Sequence, residues 1–108
     1  MYHKVGSVAA LKPGWVAEAE VAGETFALIN VGGEIRAFEG ECPCTGGPLG
    51  QGAIREGLLV CPWHGWRYDC ESGVCHYNAE VRIKRVAVRV ERDDIFIDLP
   101  GVASGQDS

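Results

Sequence analysis

Cys42-Pro43-Cys44 and Cys61-Pro62-Trp63-His64 place four metal-binding side chains in a window of 23 residues. They arrive as two close pairs separated by 16 residues. One residue between Cys42 and Cys44, and two between Cys61 and His64, let each pair aim at a common centre from a single loop. Thiolates and imidazole in this number suit tetrahedral zinc. They suit an iron–sulfur cluster equally, with the four ligands divided between two irons. Buried or free thiols beside an unrelated histidine would leave the crowding of four such groups unexplained. A thiol oxidoreductase working through Cys42-Pro43-Cys44 lacks the C-x-x-C spacing and the βαβ context of that chemistry. Gly46, Gly47 and Gly65 allow tight turns and let backbone N–H groups approach anionic sulfur. Pro43, Pro48 and Pro62 stiffen the same loops.

All five cysteines of the chain fall between residues 42 and 75, and the segment from Gly40 to Asn78 holds seven further glycines. That segment reads as a loop-rich insertion, and what flanks it reads as β. Trp15, Ala17, Ala19 and Val21 alternate with polar Glu18 and Glu20, the period of a half-buried strand. Phe26-Ala27-Leu28-Ile29-Asn30-Val31 is an apolar strand, and Gly32-Gly33 turns it into Ile35-Arg36-Ala37-Phe38 as a hairpin. Near the C-terminus Val86, Val88 and Val90 alternate with Ala87, Arg89 and Glu91. Arg92-Asp93-Asp94 turns, and Ile95, Ile97 and Leu99 return on one face. Val81 and Ile83 occupy odd positions, so the parity flips at Lys84-Arg85, where a bulge is expected. No stretch carries a helical stripe. One domain is expected over residues 1–108, with a loop-rich lobe that carries the candidate metal ligands at about 40–78 and a small polar tail at about 101–108.

The chain has 108 residues and a formal charge of −5, with 46% hydrophobic and 23% charged residues. This length holds one small core. The acidic balance argues against a nucleic-acid partner. No apolar run approaches the roughly 20 residues of a membrane span. Met1-Tyr2-His3-Lys4-Val5 does not open an unbroken apolar stretch, so the expected location is cytoplasmic. Cys70 and Cys75 flank the turn Glu71-Ser72-Gly73-Val74 and could face each other as a disulfide, although a reducing cytosol favours free thiols. His3 and His76 have no ligand partners at motif spacing; His3 reads as a surface residue and His76 as structural. Residues 82–92 carry a net charge of +4, either a solvated strand face or a docking patch for an acidic redox partner.

The loops Cys42-Pro43-x-Thr45-Gly46-Gly47-Pro48-Leu49 and Cys61-Pro62-Trp63-His64-Gly65-Trp66-x-Tyr68-Asp69 resemble the two cluster loops of Rieske [2Fe–2S] proteins, and the Ser72-Gly73 turn fits the same pattern. The resemblance implies an all-β fold: a Rieske-like antiparallel β-sandwich with a small loop-rich cluster-binding lobe. It implies a [2Fe–2S] cofactor with Cys42 and Cys61 on the inner iron and His64 on the outer. Cys44 stands where the family has its other histidine, so the implied ligand set is three cysteines and one histidine. Tyr68 matches a tyrosine whose hydroxyl, in high-potential members, hydrogen-bonds a cluster cysteine. Those members carry a serine at the position of Trp66, and respiratory members carry a loop-to-loop disulfide at the positions of Gly47 and Trp63, which this chain cannot form. Trp63 and Trp66 either shield the cluster or are core aromatics.

The chain has no Rossmann fingerprint, flavin motif or mononuclear-iron domain. The resemblance therefore implies an electron carrier rather than an enzyme: a monomeric ferredoxin passing one electron from a reductase, expected to be a flavoprotein, to an acceptor enzyme, expected to be an oxygenase. The alternatives are a small subunit of a reductase such as nitrite reductase, or a zinc-stabilised structural or interaction module.

Overall fold

The computed structural model describes residues 2–43, 46–63 and 65–98. Among them ten strands run in chain order: β1 Tyr2–Ser7, β2 Val16–Val21, β3 Glu24–Val31, β4 Glu34–Glu39, β5 Ala53–Arg55, β6 Leu58–Val60, β7 Arg67–Asp69, β8 Arg85–Val86, β9 Val88–Glu91 and β10 Asp94–Asp98. They form three antiparallel sheets, ordered β1-β10-β9, β2-β3-β4-β8 and β5-β6-β7. The first two make the sandwich, and the third is the lobe. The only helical pieces among the described residues are two three-residue 3-10 turns, Val8–Ala10 and Leu49–Gln51. None is long and apolar enough to cross a membrane.

β3 explains how the layers stack. Its alternate residues enter two different cores. Phe26 and Leu28 join Leu11, Ala19, Ala37, Ile95 and Ile97 between the two sandwich sheets. Ala27 and Ile29 join Phe38, Leu49, Leu59, Tyr68 and Ile83 between the sheet and the lobe. A strand buried on both faces has no polar alternation to show, which is why this stretch is continuously apolar.

The same two cores account for the parity flip. Ile83 lies in the lobe-side core, whereas Val86 and Val88 pack on the sandwich core. The chain is regular through the expected bulge: Arg85 pairs with Phe38 and Val86 with Ala37, and Glu39 N–H donates to Lys84 O in the same register. It changes sheets instead, because Asp98 N–H donates to Ala87 O and Val88 pairs with Ile97 of β10. The register shift among the described strands falls between Lys4 and Gly6 of β1. Trp15 also departs from expectation. It precedes β2 and is 52% exposed, with the Lys12 ammonium 5.4 Å from its ring centroid. His3 is half-buried within β1 rather than on the open surface. Leu99 and the expected tail lie outside the described residues.

Candidate metal centre

Two loops of the same construction carry the cysteines. In the first, Cys42 N–H donates to Gly47 O at 2.9 Å, and Glu41 pairs with Pro48 just outside. In the second, Cys61 N–H donates to Trp66 O at 2.7 Å, and Val60 pairs with Arg67 just outside. Each is a six-residue hairpin loop with cysteine in first place. These pairings fix both loops on the lobe-side core that contains Cys42 and Cys61 themselves. Both thiols are about 1% exposed. Cys44 and His64 lie outside the described residues.

The loops touch at Gly47. A Cβ there would lie 2.7 Å from Cys61 Sγ and 3.1 Å from Trp63 Cβ. No side chain fits, so the glycine is what brings the two loops together. Tyr68 on β7 is fully buried, and its hydroxyl lies 2.9 Å from Cys42 Sγ. With Cys42 as a thiolate the hydroxyl is the donor. The Gly46 N–H donates to the Cys42 carbonyl at 2.7 Å, so it closes the loop rather than approaching sulfur. Gly46 and Gly65 both hold positive φ, 75° and 72°.

Trp63 is 51% exposed and lies over Gly47, so it is a cover and not a core residue. Trp66 is partly buried against the core and meets Tyr77 edge-on at 5.9 Å between centroids. His76 is exposed beside Tyr77. Cys70 and Cys75 are buried free thiols. Burial, with the neighbouring Asp69 charge, pushes the Cys70 thiol up to about 11. Asp69 Oδ1 accepts from Glu71 and Ser72 N–H at 2.7 and 2.9 Å, and the Ser72 and then the Glu71 bond hold its carboxyl below the usual range. The basic run 82–92 does not form one open face. Arg85 reaches the Glu71 carbonyl, while Arg89 pairs with Glu91 and lies over the Tyr2 ring.

Gly73 and Arg36 make contacts to the 68–75 segment that the loop motifs alone do not reveal. Gly73 has φ 80°, and a Cβ there would run into the Ile83 carbonyl oxygen and approach Phe38. Arg36 Nη1 donates to Cys70 O at 3.1 Å, from β4 across to the lobe. The Ser72-Gly73 dipeptide signals the turn but not what the turn docks against, and an arginine in a strand carries no motif at all.

A family model of the Rieske [2Fe–2S] domain matches residues 1–87. The chain belongs to the Rieske [2Fe–2S] domain family. The cofactor of this Rieske domain is a [2Fe–2S] cluster. The chain is 42% identical over 86 residues to the 4beta-methylsterol monooxygenase of Methylococcus capsulatus, covering 73% of this chain and 23% of that protein. It therefore spans less than a quarter of that longer relative. It is 35% identical over 78 residues to the 3-phenylpropionate/cinnamic acid dioxygenase ferredoxin subunit of Shigella flexneri, covering 69% of this chain and 73% of that one. The solved Sphingomonas yanoikuyae B1 ferredoxin shares the fold, with a TM-score of 0.82 at 24% identity over 93% of this chain and all of that one.

The residues fit the cluster. Two buried cysteine sulfurs, each at the head of its own loop, meet a side-chain-free cradle at Gly47 and a tyrosine hydroxyl aimed at one of them. The fold places the lobe as the Rieske resemblance implies. A Cβ on Gly47 would lie 3.1 Å from Trp63 Cβ, closer than the roughly 3.5–4.5 Å of a disulfide, and neither residue can form one.

Proposed function

We propose that this chain is a one-electron carrier, a ferredoxin that holds its [2Fe–2S] cluster through Cys42, Cys44, Cys61 and His64 and delivers electrons to an oxygenase. The observation that carries the reading is Tyr68 Oη at 2.9 Å from Cys42 Sγ, beside the Gly47 contact between the two loops. The relatedness to a dioxygenase ferredoxin subunit along most of that subunit's length supports the partner class. A flavoprotein reductase as donor, a monomeric state and a cytoplasmic location complete the proposal.

The cluster, when bound, takes up one electron and gives it back. The chain's own residues prepare the site for this. Cys42 and Cys61 are buried, so water is kept from the thiolates and the charge change is felt in a low-dielectric setting. Tyr68 donates a hydrogen bond to Cys42, and such a bond strengthens as negative charge accumulates on sulfur. Two strand-anchored loops restrain the ligands, so little rearrangement accompanies the electron. Trp63 covers the Cys61 side while remaining half open to a partner.

Iron and acid-labile sulfide quantitation with EPR of the reduced protein tests the reading. Two irons and two sulfides per chain, a brown colour and a rhombic signal of low average g are expected. Colourless protein holding zinc without sulfide would identify a structural zinc module and sink the carrier.

A further inference from the structure

The segment that carries Tyr68 is gripped from outside the lobe. Tyr68 pairs with Cys75, and Asp69 N–H donates to Val74 O, so residues 68–75 form a tight hairpin. The turn of this hairpin rests on the β4–β8 face of the sandwich. The register Phe38↔Arg85 puts Arg36, Phe38 and Arg85 on one side of that sheet. Arg36 Nη1 donates to Cys70 O at 3.1 Å, Arg85 Nη1 donates to Glu71 O at 3.0 Å, and Ile83 N–H donates to Gly73 O at 2.8 Å. The absence of a side chain at Gly73 lets the turn settle against Phe38. Three carbonyls of one four-residue turn thus receive donors from the sandwich.

Arg36 is a poor device for stability alone. Its side chain is only 12% exposed, its Nη2 pairs with Glu34 at 2.8 Å, and its Nε has no hydrogen-bond partner among the described residues. A buried guanidinium with an unmet donor carries a desolvation cost that an apolar side chain of similar length avoids. Its geometric consequence is specific. The carbonyl it holds lies two residues after Tyr68, just past the end of β7, the strand that aims the Tyr68 hydroxyl at Cys42 Sγ.

We propose that Arg36, supported by Arg85, is a positioning residue that sets the cluster's reduction potential by fixing the Tyr68 hairpin against the sandwich. The inference rests on the electron-carrier reading above and assigns it a control residue outside both ligand loops.

The test is a double-mutant cycle on the cluster-loaded protein, read by redox titration and by hydrogen exchange of the amides of residues 69–75. Arg36→Met is expected to keep two irons and two sulfides, to lower the potential, and to speed exchange in the hairpin by tenfold or more. In a Tyr68→Phe background the same substitution is expected to leave the potential where Tyr68→Phe alone put it. A shift of equal size in both backgrounds would show that the arginine acts by its field and not through Tyr68, and would overturn the proposal. So would a loaded Arg36→Met protein of unchanged potential. Should Arg36→Met fail to hold a cluster, Arg36→Lys decides. It keeps the charge and loses the planar fork, so a lowered potential supports positioning and an unchanged one refutes it. Unaltered protein without iron and sulfide would instead overturn the carrier reading and this inference together.

Discussion

Tyr68 and Cys42 show how much a single atom governs. The Tyr68 hydroxyl at 2.9 Å from Cys42 Sγ stabilises whichever state has more charge on sulfur, and that is the reduced one. Tyr68→Phe keeps the buried ring and removes only the donor. Since 59 mV corresponds to 1.4 kcal/mol for one electron, a bond that strengthens by about 1 kcal/mol on reduction predicts a potential lower by on the order of 40 mV. An unchanged potential in the phenylalanine variant would show that the hydroxyl does not serve the cluster. Cys44 makes the second residue-scale prediction. An oxidised core of charge +2 with three thiolates and one neutral imidazole carries −1 overall, whereas two thiolates and two imidazoles carry none. The extra charge opposes reduction, so Cys44→His is expected to raise the potential toward the range of about −150 to +300 mV known for two-histidine centres. Equal potentials in the two proteins, measured by the same titration, would remove Cys44 from the ligand set. Tyr68 was legible in the sequence because the second cysteine loop and the residues after it resemble the Rieske pattern, which has a tyrosine at that position. Arg36 was not, because its role depends on a contact between β4 and a turn more than thirty residues away.

At the scale of elements, the hairpin of residues 68–75 is where local sequence and tertiary packing meet. Its turn is built by Asp69, whose carboxylate accepts two backbone N–H groups, and by Gly73, whose φ of 80° admits no other residue easily. Gly73→Ala adds a methyl group against the Ile83 carbonyl and Phe38 while straining the backbone. It is expected to destabilise the protein by roughly 2 kcal/mol or more, read as a lowered melting temperature. A variant that melts with the parent would mean the turn has room to shift. Asp69 adds a pH dependence. Its folded-state pKa is depressed below the ordinary 3.8, so its contribution is complete above that value and is lost as pH falls through the depressed one. Asp69→Asn is expected to flatten the acid limb of a plot of melting temperature against pH, modestly, because the carboxylate faces solvent. An unaltered acid limb would refute this. The strands themselves were largely readable. β2, β3, β4, β9 and β10 follow their alternation or apolar runs, and Gly32-Gly33 forms the expected turn between Val31 and Glu34. The parity flip was also real, but its cause was not local. Ile83 and Val86 face different cores because the chain paired with β4 is buried on both faces, and it changes sheets only after Val86; no rule about one strand and its partner contains that information.

The described residues form two cores sharing a sheet, and among them only one core contains cluster-loop residues. Cys42, Cys61, Leu49 and Tyr68 belong to the lobe-side core, together with Ala27 and Ile29 of β3. Among the described residues, the sandwich core, with Phe26, Leu28, Ile95 and Ile97, includes nothing from either ligand loop. A cluster held by the proposed ligands of the two loops would cross-link them and close the lobe, and its binding energy would be folding energy for the part it tied together. Removing it leaves buried thiols and a small three-stranded sheet, β5-β6-β7, of three-residue strands. So short a sheet does not persist without support. The β1-β10-β9 and β2-β3 pairings retain their own packing. Stripping the cluster is therefore expected to raise hydrogen exchange first in residues 53–69 while β2, β3 and β10 stay protected, an opening of one cooperative unit rather than of the whole chain. Mass-spectrometric exchange on loaded and stripped protein distinguishes the two behaviours. Protection lost evenly across both cores would show that the shared strands couple them into a single unit, and that the cluster supports the sandwich as well as the lobe.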